Sequence, residues 1–130
     1  MEMKQTLSGH ILIIDDDPDI RLLMQRVLEK EGYNVDSAVH KEDALDKLSH
    51  SKPQLILLDV LLSGADGREL CQWIKSNENT QHVPVIIFSA HPSINDDKVK
   101  QYGADDFIAK PLNTDLLLQK VERHLSVKAK

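Results

Sequence analysis

Residues 10–20 read HILIIDDDPDI, an apolar run of strand length that leads directly into closely spaced carboxylates. A continuous apolar run of this kind is typical of a strand that is buried on both faces of a parallel sheet. Asp17 precedes a proline, and this pair is a strong signal for a helix start. Asp19 then lies in the first helical turn, where a negative charge interacts favourably with the helix dipole. These roles explain two of the carboxylates and leave Asp15 and Asp16 available for chemistry.

The alternation of an apolar run and a helical pattern continues along the chain. Further apolar runs, QLILLD at 54–59 and VPVIIFSA at 83–90, predict buried strands, whereas YNVDSAV at 33–39 and DDFIAK at 105–110 have the mixed polarity of edge strands. Helical patterns fall at 18–31, 41–50, 66–77, 93–101 and 113–126. Repeated strand–helix units predict an α/β fold, a doubly wound five-stranded parallel sheet with helices on both faces. Placing the mixed strands at the edges gives the flavodoxin-like strand order 2-1-3-4-5.

Polar residues stand where the predicted strands end. Asp15 and Asp16 end the first strand, Asp59 the third, Ser89 the fourth and Lys110 the fifth. Ligands of such sheets bind beyond the carboxyl ends of the strands, near the point where the strand order reverses. Three carboxylates at that edge would repel one another unless a cation lay among them, and oxygen ligands with open positions suit Mg²⁺. The sequence therefore predicts a metal site with a hydroxyl and an ammonium beside it.

Length, net charge and cysteine content exclude several classes of function. A chain of 130 residues suits a single domain, and a net charge of −5 without a basic cluster gives no electrostatic footprint for nucleic acid. The single cysteine, Cys71, cannot form an internal disulfide, which indicates a reducing compartment. No apolar run approaches the roughly 18 residues of a membrane span, and the N-terminus lacks the apolar core of a signal peptide. We therefore expect a small cytoplasmic domain that binds neither nucleic acid nor membrane.

Four motifs, in this order and spacing, resemble the receiver domain of two-component response regulators of the chemotaxis-regulator type. They are IIDDDPDIR at 13–21, LILLDVLLSGADG at 55–67, VPVIIFSA at 83–90 and GADDFIAKPL at 103–112. The resemblance implies a receiver domain over residues 10–126, and we expect flexible segments at 1–9 and 127–130. A receiver domain is a regulatory switch rather than an enzyme, although it assists its own phosphorylation and dephosphorylation.

The resemblance also implies partners. A sensor histidine kinase or a histidine phosphotransfer domain is the implied phosphoryl donor. The output partner stays unknown, and its binding surface is implied to be the face formed by helix 4, strand 5 and helix 5. A phosphorylation-dependent homodimer is compatible with that face.

The residues that match the family motifs take their implied roles from it. Asp59 is the implied phosphoacceptor, and Ser89 and Lys110 are the implied contacts of the phosphoryl group. Ser89 and Phe107 are the implied switch residues. The peptide bond between Lys110 and Pro111 is implied to be cis, which costs little before proline.

Mg²⁺, which Mn²⁺ can replace, is the implied cofactor. Its implied ligands are Asp15, Asp16, Asp59 and the backbone carbonyl of Leu61. Hydrolysis of an acyl phosphate needs a water in line with the bond that breaks, and Leu61 and His91 are expected to flank its approach. Because the leucine side chain cannot orient a water, we predict slow hydrolysis.

Two other functions remain as alternatives. A Mg²⁺-dependent phosphohydrolase with an aspartate nucleophile would need a second acid two residues further on. Beyond Asp15 that acid is the predicted helix cap Asp17, and beyond Asp59 the position holds Leu61. A flavin-binding module of the same fold would need a phosphate-cradling loop after the first strand, where DDDPD would repel a phosphate.

Two further residues have purely structural interpretations. Trp73 stands at helical spacing with Leu70 and Ile74 and is predicted to be a packing residue rather than a recognition residue. Gly67 is predicted to supply a turn conformation.

Overall fold

The computed structural model describes residues 9–62, 65–90 and 94–129, with backbone alone at 61–62, 65–66 and 126–129. The main strands are β1 (His10–Ile14), β2 (Asn34–Ala38), β3 (Leu55–Leu58), β4 (Val85–Ser89) and β5 (Asp106–Ala109). The helices are α1 (Pro18–Lys30), α2 (Lys41–His50), α3 (Gly67–Ser76), α4 (Asp96–Gln101) and α5 (Thr114–Ala129). A short antiparallel pair, Leu61–Leu62 with Ala65–Asp66, lies between β3 and α3.

The five main strands form one parallel sheet in the order β2-β1-β3-β4-β5, which confirms the predicted fold class and strand order. Strands β1, β3 and β4 occupy the middle, and nearly all of their residues are buried. Strands β2 and β5 lie at the edges and carry the partly exposed residues that their mixed polarity predicted. The sequence is continuously apolar only where both faces of the sheet are covered.

Alternate residues of each central strand face opposite helical layers. Leu12 and Ile14 of β1 pack in the cluster that contains residues of α2, α3 and α4, whereas Ile11 and Ile13 pack with residues of α1 and α5. Burying each such side chain contributes about 1.5–3 kcal/mol. Two apolar layers therefore hold the central strands, and with them the loops that follow those strands.

The start of α1 is confirmed as predicted. The Asp17 carboxylate caps the helix by accepting hydrogen bonds from the backbone N–H groups of Asp19, at 2.9 Å, and Ile20, at 3.5 Å. The chain leaves the helix through Gly32, whose φ of 99° lies in the left-handed region that glycine adopts without strain. Asp17 is thus committed to helix capping.

Two structural predictions on α3 are wrong. Gly67 does not make a turn: it begins the helix, and a Cβ there would lie 2.5 Å from the Asp59 carbonyl oxygen and from the Val60 Cα. Glycine is needed because the helix start packs directly on the backbone that follows β3. Trp73 is 42% exposed, because α3 turns Leu70 and Ile74 into the core and leaves the indole on its flank.

Among the described residues, no helix combines the length and the apolar character needed to cross a membrane.

Candidate functional site

The sheet ladder fixes the residues at the end of each central strand. The backbone N–H of Asp59 donates to the Ile14 carbonyl at 3.0 Å, and that of Lys110 donates to the Ser89 carbonyl at 3.0 Å. These bonds continue the parallel pairing one residue beyond β3 and β5. Asp15 directly follows β1 in the same way, so the predicted residues share one edge of the sheet.

Three carboxylates form a cluster at this edge. Oxygen atoms of Asp15, Asp16 and Asp59 all lie within 4.8 Å of one another. Asp15 is fully buried and Asp59 is 5% exposed, whereas Asp16 is partly exposed. A cluster of oxygen donors that is open on one side matches the preference of Mg²⁺ for a few carboxylates plus water or phosphate. The residues present therefore fit the metal that the sequence predicted.

Lys110 is the cation of the site. Its ammonium nitrogen Nζ lies 3.0 Å from Asp59 Oδ2 and 3.2 Å from Asp15 Oδ2, and its side chain is 17% exposed. Burial opposes the charge on Lys110, but the hydrogen bond to Asp59 and the charge of Asp15 raise its pKa overall. The ammonium therefore stays charged and joins two carboxylates that would otherwise repel each other.

Asp15 is the most deeply buried acid of the cluster. Burial raises the pKa of its carboxyl group, against the opposing effects of a hydrogen bond from the Asp17 backbone N–H and of the Lys110 charge. The Asp17 N–H donates to Asp15 Oδ1 at 2.8 Å. The Arg21 guanidinium also donates to the Asp15 carbonyl at 2.7 Å. Sequence reasoning missed Arg21, although it closes the first motif.

The predicted switch residues lie on the neighbouring strands β4 and β5. Ser89 is the last residue of β4 and is 1% exposed. Phe107 on β5 is partly buried against the apolar cluster of α2, α3 and α4. The peptide bond between Lys110 and Pro111 is cis.

Two expected residues cannot be placed fully. His91 lies outside the described residues. Leu61 is described by its backbone alone, in the antiparallel pair in which it faces Asp66. The roles of the Leu61 carbonyl and of both side chains in hydrolysis stay predictions.

A second charged group, which the sequence did not reveal, anchors the other end of β5. The Asp106 carboxylate lies 2.7 Å from Lys120 Nζ, 2.6 Å from Arg123 Nη2 and 3.0 Å from His124 Nε2. Lys120 Nζ also donates to the Phe107 carbonyl at 2.7 Å. Burial alone would raise the pKa of Asp106, but hydrogen bonds from Lys120 and His124 hold it well below its usual range. The three α5 partners are spaced on one helical face, which is the signal that sequence reasoning could have used.

Comparison with solved structures gives relatives over most of the chain. The signal receiver domain of a signal transduction histidine kinase from Syntrophus aciditrophicus is 35% identical, with a TM-score of 0.83, and the match covers 92% of this chain and 91% of that one. The signal receiver domain of a DNA-binding response regulator from Colwellia psychrerythraea is 30% identical, with a TM-score of 0.83 and coverage of 92% and 99%. The chemotaxis protein CheY4 of Vibrio cholerae is 25% identical, with a TM-score of 0.82 and coverage of 89% and 98%.

The fold and the acidic cluster at its switch point define a doubly wound signalling domain of the receiver type. The chain belongs to the response regulator receiver domain family, whose sequence model matches residues 11–122. Receiver domains are regulatory domains of two-component systems, which agrees with the interpretation of this chain as a switch rather than an enzyme.

Proposed function

We propose that this domain is a phosphorylation-dependent switch that accepts a phosphoryl group on Asp59. The observation that carries the proposal is the position of Asp59: a nearly buried carboxylate, within ligand distance of two more carboxylates and 3.0 Å from the Lys110 ammonium. A carboxylate in such a site can act as a nucleophile toward phosphorus. The proposed donor is a phosphorylated histidine of a sensor kinase or of a phosphotransfer domain.

The proposed step is an in-line displacement. An Asp59 carboxylate oxygen forms a bond to phosphorus while the bond from phosphorus to the donor imidazole nitrogen breaks, and the product is an acyl phosphate. Phosphoryl transfer depends mainly on positioning and charge neutralisation, since the transition state is loose. The fixed geometry at the end of β3 supplies the positioning.

Charge neutralisation is divided between a metal and the protein. Asp15, Asp16, Asp59 and the Leu61 carbonyl are the proposed Mg²⁺ ligands, and a bound divalent cation would reduce the repulsion between an anionic nucleophile and an anionic donor. Lys110 adds a second positive charge, with its Nζ 3.0 Å from Asp59 Oδ2. Ser89 is the proposed hydrogen-bond donor to a phosphoryl oxygen.

The proposed output follows from the neighbours of the site. Movement of Ser89 toward the phosphoryl group would open space for Phe107, and Phe107 lies on β5 next to α4 and α5. We therefore propose that the output partner binds the α4–β5–α5 face, where a phosphorylation-dependent homodimer would also form. Only Val99 of α4 is buried, so most of that helix is available for contact.

Intact-mass analysis tests the proposed acceptor. Incubation with phosphoramidate and Mg²⁺ should add one phosphoryl group to the wild-type protein, and Asp59→Asn should abolish the addition. Asp46→Asn is the matched control, because its carboxylate is 67% exposed on α2 and away from the cluster. Undiminished labelling of the Asp59→Asn protein would show that another group is the acceptor.

A further inference from the structure

An aromatic ring lies against the cation of the site. The Lys110 Nζ is 4.8 Å from the centroid of the Phe88 ring. Phe88 is 1% exposed and packs in the apolar cluster that faces α1 and α5. It immediately precedes Ser89 on β4, so the backbone that fixes the hydroxyl also fixes the ring.

The surroundings of the ammonium make this contact electrostatically significant. Nζ carries three donor hydrogens, and the carboxylates of Asp15 and Asp59 accept hydrogen bonds from it. A ring face carries partial negative charge and attracts an ammonium within about 6 Å of its centroid, more strongly where water is excluded. An aliphatic side chain at the same place would desolvate the ammonium without any compensating attraction.

The two carboxylates and the aromatic ring around Nζ behave differently during phosphoryl transfer. Phosphorylation converts the Asp59 carboxylate to an acyl phosphate, a mixed anhydride, so that the negative charge moves from the carboxylate to the phosphoryl oxygens. Asp15 is a proposed metal ligand, so its charge is shared with the metal. The Phe88 ring neither titrates nor reacts, and it is the partner whose attraction for Nζ stays constant.

We propose that Phe88 is a positioning residue that holds the Lys110 ammonium beside the phosphoryl group. The inference rests on the proposed function, since it assigns a role in the same reaction. It predicts that the electrostatic character of the ring, as well as its volume, sets the rate of phosphorylation.

A series of fluorinated side chains separates these two properties. Phe88 is replaced site-specifically by phenylalanines with one, two and three ring fluorines. The fluorines make the electrostatic potential at the ring face less negative and change the shape of the ring little. We expect the rate of phosphorylation by phosphoramidate to fall steadily along the series, by about fivefold in total. The melting temperature and the dissociation constant for Mg²⁺ should stay within error of the wild-type values. A packing defect would instead lower the melting temperature.

The same series in the Lys110→Ala background is the matched control. There the fluorines have no ammonium to affect, so the rates should be equal across the series. Equal rates in the Lys110 protein, or the same decline in the Lys110→Ala protein, would overturn the positioning role.

A nuclear magnetic resonance measurement on the unphosphorylated protein tests the contact without the reaction. The ring current of Phe88 should shift the ε-methylene protons of Lys110, and Phe88→Leu should return them toward their ordinary position. An unchanged resonance would refute the contact itself. Loss of phosphorylation in every protein, wild type included, with the ring-current shift intact would instead refute the proposed function.

Discussion

Removal of one charge should reveal how strongly β5 is attached to α5. Asp106→Asn keeps the size of the side chain but replaces an anion by a neutral amide beside Lys120, Arg123 and His124. The carboxylate is 10% exposed and the Lys120 and His124 side chains are each 19% exposed, whereas Arg123 is 64% exposed. The substitution therefore leaves one poorly solvated ammonium without its counter-ion, while Arg123 can turn to water.

The magnitude follows from that difference in exposure. Breaking a buried ion pair costs about 3–5 kcal/mol, and an exposed pair contributes about 0–1 kcal/mol. Asp106 has largely buried partners, Lys120 and His124, and an exposed partner, Arg123. We therefore expect Asp106→Asn to lower the free energy of unfolding by about 2 kcal/mol at pH 7. For a chain of this length that loss corresponds to a decrease of about 7 °C in the melting temperature.

The pH dependence has a definite sign. The pKa of Asp106 is held below its usual range in the folded protein, so the folded state binds the proton less readily than the unfolded state. Its contribution to stability is therefore complete above the unfolded pKa, near pH 4, and declines as the pH falls toward the folded value. The difference between wild type and Asp106→Asn should accordingly narrow below about pH 4.

Urea unfolding, followed by far-ultraviolet circular dichroism between pH 7 and pH 3, measures both effects. Asp46→Asn is a suitable control, since its carboxylate and its neighbour His50 are both largely exposed. If Asp106→Asn lowers the free energy of unfolding by less than about 0.5 kcal/mol at pH 7, it behaves like an ordinary surface substitution. That result would refute a stabilising role of the Asp106 ion pairs. A difference that stays constant down to pH 3 would also refute it.

Four further substitutions test which residue performs which role at the site. Asp16→Ala should weaken Mg²⁺ binding in a metal titration. Asp17→Ala should bind Mg²⁺ normally and lose about 1 kcal/mol of stability, because the helix cap is missing. Weaker Mg²⁺ binding by the Asp17→Ala protein alone would show that the two roles are assigned the wrong way round. Lys110→Ala should bind Mg²⁺ as well as the wild type or better, because a competing cation is gone, but should be phosphorylated more slowly in intact-mass time courses. A normal rate would show that Lys110 has no role in phosphoryl transfer. Leu61→Asn should shorten the lifetime of the phosphorylated protein after donor removal, by about tenfold if water orientation limits hydrolysis; an unchanged lifetime would contradict the proposed shielding.

The fold was predictable because local polarity and tertiary burial agree along this chain. The fully apolar strands are central and the mixed strands are at the edges, so the order 2-1-3-4-5 followed from polarity. The same agreement predicted the cluster of Asp15, Asp16 and Asp59, since residues that follow parallel strands must meet at one edge. The capping role of Asp17 needed only local rules.

The wrong or missing predictions concern side-chain direction and close approach across the fold. The need for Gly67 arises from contact with the backbone at Asp59 and Val60, which no local pattern contains. The sequence showed Phe88 only as part of an apolar run, since its contact with Lys110 joins β4 to the residue that follows β5. The exposure of Trp73 likewise depends on how far α3 rotates over the sheet.

Positive groups outnumber the carboxylate at the start of β5, and carboxylates outnumber the ammonium at its end. This distribution of charge constrains how β5 can move when the site is phosphorylated. At the start of β5, one carboxylate, Asp106, meets two permanent cations and an imidazole. Directly after β5, one ammonium, Lys110, meets two carboxylates at hydrogen-bond distance. Each end is thus tied to its surroundings by strong, partly buried contacts, and Lys120 also holds the Phe107 carbonyl. A displacement of the whole strand would break both sets of contacts at once. Under the proposed function, we therefore expect β5 to keep its place and the change to pass through the Phe107 side chain, whose backbone is fixed while its ring is only partly buried.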